Sequence, residues 1–66
     1  MQIVLNGESH QLAAGQTVAA LLDELGYAGK RLAVERNGDI VPKSQHGVTA
    51  IQDGDQLEIV VAVGGG

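Results

Sequence analysis

Two Asn-Gly dipeptides, at positions 6–7 and 37–38, constrain the fold of this 66-residue chain more than any other feature of its sequence. Asn and Gly both adopt the positive φ angles of a type I′ turn, so an Asn-Gly pair between two strand-like segments predicts a tight β-hairpin. The sequence therefore predicts two hairpins. They join residues 1–6 to 8–13 and residues 32–36 to 40–41.

Residues 18–25, between the two hairpins, have the pattern of one short amphipathic helix. Four apolar residues recur there at i, i+3, i+4 and i+7 and form one stripe. Thr17 is suited to cap the start of this helix, and Gly26 lies where a left-handed C-cap is expected. A helix this short is not stable alone and must pack on a sheet. The stripe consists of Val18, Leu21, Leu22 and Leu25.

The last third of the chain predicts one further long strand. Residues 56–63 alternate, with Leu57, Ile59, Val61 and Val63 on one face. Before this strand, residues 43–47 are polar and loop-like, with room for one helical turn, and residues 48–51 are interpreted as a short edge strand. Asp53-Gly54-Asp55 has the composition of a turn.

This order of elements, β-β-α-β-(β)-β, predicts an α+β fold of the β-grasp (ubiquitin-like) class. We expect a mixed sheet of four or five strands with one main amphipathic helix. In this topology the first and last strands lie side by side and parallel in the centre of the sheet, which suits their apolar character. The expected organisation is one domain, residues 1–63, followed by a flexible glycine tail, residues 64–66.

Composition excludes several classes of function. Eight acidic residues against four basic ones give a net charge of −4, which argues against nucleic-acid binding. No apolar run approaches the length of a membrane helix or resembles a signal peptide, so we expect no membrane association and a cytoplasmic protein. There is no cysteine, and His10 and His46 are isolated, so we expect no metal site. Without a side-chain thiol, any sulfur chemistry must use the main-chain carboxyl group.

The sequence ends in three glycines, Gly64, Gly65 and Gly66. Glycine has no Cβ, so such a tail can enter a narrow cleft of another protein. We expect Gly64 and Gly65 to thread into a partner's active site and Gly66 to be the modified residue. By strand parity, Val4, Val60 and Ala62 point away from the core and are predicted to form an apolar patch that docks a partner. The alternative is that these three are ordinary scattered surface residues.

Five segments of the chain carry a family pattern: Met-Gln-Ile-x-x-Asn-Gly at 1–7, Thr-Val-x-x-Leu-Leu at 17–22, and residues 33–42, 53–60 and 63–66. Together they resemble the ThiS-type sulfur carrier proteins of thiamine thiazole biosynthesis. The resemblance implies that Gly66 is adenylated by an ATP-dependent ThiF-type enzyme and converted to a thiocarboxylate. It also implies a cysteine desulfurase or other sulfur donor, and a thiazole synthase of the ThiG type that accepts the sulfur. The chain is then a protein cosubstrate with no catalytic residues and no permanently bound cofactor, since the partner uses the ATP.

Three alternatives stay open on the sequence alone. The small subunit of molybdopterin synthase shares the fold and a terminal Gly-Gly, but that family is usually longer and has Phe and Pro residues before its glycines. This chain has no Phe, and its single proline is Pro42. The second alternative is a ubiquitin-like modifier that forms isopeptide bonds through Gly66. The third is a plain β-grasp interaction module.

Overall fold

The structure, a computed structural model, describes residues 1–62 and consists of one mixed sheet with a helix packed on one of its faces. Residues 63–66 lie outside the described residues, and so do the predicted end of the last strand at Val63 and the predicted domain boundary. The strands are β1 (Gln2–Leu5), β2 (Glu8–Gln11), β3 (Leu32–Arg36), β4 (Asp39–Val41) and β5 (Gln56–Val61); the helix is α1 (Val18–Glu24), and Lys43–Gln45 forms a 3₁₀ turn.

Both predicted hairpins are confirmed. The asparagine and glycine of each dipeptide have positive φ angles, 50° and 82° at positions 6 and 7 and 53° and 88° at positions 37 and 38. The turns join β1 to β2 and β3 to β4, both antiparallel. These backbone angles belong to the type I′ turn, whose twist matches that of the flanking strands.

The sheet has the order β2-β1-β5-β3-β4, so β5 lies at its centre. β5 pairs in parallel with β1, with Val4 opposite Gln56, and antiparallel with β3, with Val34 opposite Ile59. The prediction that the first and last strands lie side by side and parallel is confirmed. The last strand therefore leads towards residues 63–66 from the middle of the sheet.

Helix α1 covers one face of the sheet and closes the core. Its start is capped as predicted, because the Thr17 Oγ1 atom accepts a hydrogen bond from the Ala20 amide at 3.2 Å. The helix ends at Glu24, one residue earlier than predicted, and Gly26 follows with φ 79°. No helix in residues 1–62 is long and apolar enough to span a bilayer. The buried apolar side chains are Ile3, Leu12, Val18, Leu21, Leu22, Val34, Val41, Ile51, Leu57 and Ile59.

The prediction of an edge strand at residues 48–51 is wrong. This segment makes one isolated bridge, between Thr17 and Ala50, and contributes no strand to the sheet. Its backbone instead contacts the residues at the start of α1: the Ile51 amide donates to the Gln16 carbonyl at 2.9 Å, and the amide of Val18, the first residue of α1, donates to the Thr49 carbonyl at 3.0 Å. Only Ile51 turns into the core, whereas Val48 is 73% exposed. The 3₁₀ turn accounts for the single helical turn expected within residues 43–47.

Candidate functional site

The face of the sheet opposite α1 is open to solvent, and we call it the open face. Strand register places on it the residues that alternate with the core side chains. Its apolar members include Val60, 66% exposed, and Ile40, 62% exposed. In residues 1–62 the strands contribute no Lys or Arg to this face. The open face consists of Gln2, Val4, Ser9, Gln11, Ala33, Glu35, Ile40, Gln56, Glu58 and Val60.

The predicted docking residues all lie at the surface, but they do not form one contiguous patch. Val4 is 37% exposed, and Ala62, one residue beyond β5, is also exposed. Val4 is opposite Gln56, so Val60 lies four residues further along β5, about 13 Å away at the usual rise of a strand. Val60 is instead directly opposite Ala33 on β3. Sequence reasoning missed Ala33 and Ile40, although their parity relative to the buried Val34 and Val41 marks them as outward-facing.

Two carboxylates face each other on the open face. Glu35 of β3 is paired with Glu58 of β5 in the antiparallel register. Like charges directly opposite each other destabilise a sheet, and no ion pair to either glutamate is present in residues 1–62. The open face is therefore apolar around Val60 and acidic beside it.

The chain just before the predicted tail is hydrogen-bonded to the sheet. Ala62 donates its amide hydrogen to the Arg31 carbonyl at 2.8 Å, so the chain is fixed to the start of β3 up to that residue. Residues Gly64, Gly65 and Gly66, the predicted threading and modified residues, lie outside the described residues. The structure locates the end of the central strand β5, which precedes these glycines in the chain.

Both turn asparagines also bind β5 through their side chains. The Asn6 Oδ1 atom accepts from the Ile59 amide at 2.8 Å, and its Nδ2 donates to the Ile59 carbonyl at 3.2 Å. The Asn37 Oδ1 accepts from the Gln56 amide at 2.9 Å. The short β1–β5 pairing is thus extended past the end of β1, which fixes the strand that carries the tail.

A buried carboxylate holds the start of β5. Asp55 accepts hydrogen bonds from Arg36 Nε at 2.7 Å, from the Gln52 amide at 2.9 Å and from Asn37 Nδ2 at 3.1 Å. Burial raises the pKa of the Asp55 carboxyl, but the hydrogen bonds from Arg36, Gln52 and Asn37, together with the charge of Arg36, outweigh it. The pKa of Asp55 therefore lies below its usual 3.8. The role of this network is structural, since Arg36, Gln52 and Asn37 all donate to Asp55 and so join three segments of the chain at the start of β5.

Residues 1–62 contain no group of three His, Cys, Asp or Glu side chains arranged to hold a metal ion. His10 is a half-buried strand residue opposite Ile3. His46 donates from Nε2 to the Val41 carbonyl at 3.0 Å, which ties the 3₁₀ turn to β4.

Comparison with known proteins identifies relatives over the whole chain. The ThiS family model matches residues 3–66. The sulfur carrier protein ThiS of Escherichia coli K12 is 41% identical over 66 residues, which are all of this chain and all of that protein. A thiazole synthase from Paramagnetospirillum magneticum is 53% identical over the same 66 residues, but this chain spans only 20% of that protein's length.

The fold class is confirmed by a solved structure. The crystal structure of the thiamine biosynthesis protein ThiS from Geobacter metallireducens superposes with a TM-score of 0.85 at 30% sequence identity, and the match covers 100% of both chains. The five-stranded mixed sheet with one helix described above is therefore the β-grasp arrangement of that protein.

Proposed function

The chain belongs to the ThiS family, and from that premise we propose that it is a sulfur carrier in the biosynthesis of the thiamine thiazole, with Gly66 as the residue that bears the sulfur. The observation that carries this proposal is the match to a sulfur carrier over all 66 residues of this chain, its three terminal glycines included. In this proposal the protein is a cosubstrate, and its partners perform the catalysis.

The position of β5 supports this role. A carrier must present its terminal group well away from its own surface while the domain stays folded. The strand that leads to the tail is the central one, and the side chains of Asn6 and Asn37 bind it on either side. Residues beyond Ala62 can therefore be drawn into a partner without pulling on the core. Glycines at 64 and 65 keep the stalk narrow.

The chemistry needs a free carboxyl group at Gly66, and α-carboxyl groups are ordinarily anionic at neutral pH. A carboxylate oxygen attacks the α-phosphorus of ATP in the activating enzyme, pyrophosphate leaves, and Gly66 becomes an acyl-adenylate. Hydrosulfide then displaces AMP to give the thiocarboxylate. A persulfide donor instead gives an acyl disulfide, which a thiol reduces to the same product. Any residues that followed Gly66 would have to be cleaved off first.

The proposed partners are a ThiF-type adenylating enzyme, a sulfur donor such as a cysteine desulfurase, and a thiazole synthase. A thiazole synthase is supported by the relative of that name that contains a segment 53% identical to this chain. We propose that the open face docks these enzymes through Val60 and its neighbour Ala33, with Ala62 at the tail end. Val4, four residues away along the sheet, contributes at the margin of that surface.

One experiment tests the proposal. The 66-residue protein is incubated with the adenylating enzyme, ATP and a sulfur donor, and its intact mass is measured before and after. Exchange of one oxygen for sulfur, localised to Gly66 by fragmentation, is the expected result. A matched sample without ATP should keep its original mass, because activation must precede sulfur transfer.

Two other results would contradict the proposal. Covalent conjugates of higher mass, joined through Gly66 to lysines, would identify a ubiquitin-like modifier instead. An unchanged mass would identify a plain interaction module, provided that the same activating enzyme adenylates an established carrier in a parallel reaction. The intact mass of the protein purified from its own cells shows whether the functional form ends at Gly66.

A further inference from the structure

The basic residues of this acidic protein are unevenly distributed. There are four Lys and Arg residues against eight acidic ones. Arg36 is paired with Asp55 at 2.7 Å, and in residues 1–62 this is the only ion pair. The other three cations, Lys30, Arg31 and Lys43, have no carboxylate partner there. All eight acidic side chains lie within the described part of the chain, so no side-chain carboxylate pairs with these three charges.

All three of these cations line one cavity of about 380 Å³, which we call the basic pocket. It lies between the loop that joins α1 to β3 and the 3₁₀ turn after β4. Leu22 and Leu32 supply an apolar lining, and no acidic residue contributes to it. The polar and aromatic residues around these are Tyr27, Lys30, Arg31, Lys43 and His46.

The basic pocket is directly beside the point from which the tail departs. Arg31, which lines it, accepts the Ala62 amide hydrogen at 2.8 Å through its carbonyl, and Leu32 is paired with Val61. An enzyme that takes up the residues after Ala62 must therefore approach within a residue or two of this pocket. Because Leu22 of α1 lines it, the pocket opens on the helix side of the sheet, so the open face does not include it.

The exposure of the cations in the basic pocket favours a protein partner over a small anion. Lys30, Arg31 and Lys43 are all exposed, and exposed ion pairs are individually weak. Every buried polar side-chain atom in residues 1–62 already has a hydrogen-bond partner, so no buried group there is left unsatisfied to bind a small ligand. A partner already anchored by the tail needs only charge complementarity from such a site, which guides its orientation and its rate of association.

We infer that the basic pocket docks an acidic segment at the active-site entrance of a thiazole synthase, beside the channel that receives the tail. This inference rests on the proposed function, because it assumes that a thiazole synthase takes up the tail. The positive pocket and the acidic, apolar open face then contact the partner on two sides of the tail, which fixes the direction from which the tail enters.

The test compares two variants of equal net charge. Lys30→Gln/Lys43→Gln removes two charges from the pocket. Ala13→Glu/Ala14→Glu adds two negative charges in an exposed loop after β2, at the end of the sheet where β1 begins. Affinities of both variants and the wild-type protein for the thiazole synthase of the same genome are measured by calorimetry. Far-ultraviolet circular dichroism verifies that all three are folded.

We expect the pocket variant to bind roughly 3- to 30-fold more weakly than the control variant, as the loss of two exposed ion pairs predicts. The difference should shrink towards zero in about 0.5 M salt, where the screening length is only a few ångströms. Equal affinities of the two variants would overturn the inference while leaving the proposed function intact.

Two further results would also overturn it. Saturable shifts of the amide signals of residues 30–32 in a titration with inorganic phosphate would identify a small-anion site. If the wild-type protein did not bind the thiazole synthase, that enzyme would not be the partner of the basic pocket. The intact-mass assay would then show separately whether Gly66 still receives sulfur.

Discussion

Replacing Asp55 with Asn tests how the start of β5 is held. The substitution keeps the size of the side chain but removes its charge and replaces one acceptor oxygen with an NH₂ group. In the native protein both carboxylate oxygens accept: Oδ2 from Arg36 Nε at 2.7 Å and from the Gln52 amide at 2.9 Å, and Oδ1 from Asn37 Nδ2 at 3.1 Å. Whichever way the amide is oriented, its NH₂ group faces a donor.

The expected loss follows from these contacts. A hydrogen bond to a charged group contributes about 1.5–3 kcal/mol, and a buried donor left without a partner adds to the cost. The Arg36 side chain is 30% exposed and can turn to water, so its bond counts at the low end of that range. We expect Asp55→Asn to lower the free energy of unfolding by about 2–3 kcal/mol, which corresponds to roughly 10–20 °C in Tm for a domain of this size.

Urea denaturation followed by circular dichroism measures this loss. The matched control is Asp53→Asn, in the same turn, where the exposed carboxylate accepts one backbone hydrogen bond, from Gln2 at 2.7 Å. Both variants change the net charge equally, and we expect the control to lose less than about 1 kcal/mol. If Asp55→Asn were no more destabilising than Asp53→Asn, the assignment of Asp55 as the main support of β5 would be refuted.

The same carboxylate predicts a pH dependence. Its pKa in the folded protein lies below 3.8, the ordinary value that it takes when the chain unfolds. The unfolded chain therefore binds the proton first, and the stabilisation by Asp55 is complete above about pH 5 and is lost as the pH falls through the folded-state pKa. Titration of the urea midpoint from pH 7 to pH 3 should show a steeper decline in the wild-type protein than in Asp55→Asn.

Four further results are expected. Asn6→Gly keeps a residue suited to positive φ but removes two side-chain hydrogen bonds to Ile59, and should cost about 1–2 kcal/mol in urea denaturation. Glu58→Lys replaces the repulsion with Glu35 by an attraction and should raise stability by about 0.5 kcal/mol; an unchanged Tm would refute this. Val60→Asp, on a side chain 66% exposed, should weaken binding of the adenylating enzyme while Tm changes by only a few degrees. Gly65→Val should abolish acyl-adenylate formation, measured by pyrophosphate release, with an unchanged circular dichroism spectrum.

Local sequence patterns determined the elements of this protein. The two Asn-Gly turns require only that two adjacent residues adopt positive φ, and helix α1 requires only the spacing of four apolar residues and a capping threonine. The parity of residues 56–61 separated the buried Leu57 and Ile59 from the exposed Val60. These features depend on near neighbours in the chain, so they could be predicted without the fold.

The prediction at residues 48–51 was wrong because pairing is not a local property. Their β-branched residues Val48, Thr49 and Ile51 permit a strand. In the fold, however, their backbone meets the chain just before α1, and only Ala50 completes a bridge, to Thr17. In the same way, parity gave the exposure of Val4 and Val60 correctly. It could not give their separation, which depends on the parallel register of β1 and β5.

The sequence by itself thus determined the two hairpins, the helix and the last strand, the β-grasp order and the resemblance that points to Gly66. Only the tertiary structure decided that the two turn asparagines bind β5 and that Asp55 joins Arg36 to the turn before that strand. It also decided that Lys30, Arg31 and Lys43, which have no ion-pair partner within residues 1–62, line one cavity beside the end of β5. The hydrogen bonds from Asn6, Arg36 and Asn37 join residues between 18 and 53 positions apart in sequence. The three cations come from the loop after α1 and from the 3₁₀ turn. Their proximity follows from strand register and from the packing of α1, and no local pattern of side chains encodes either.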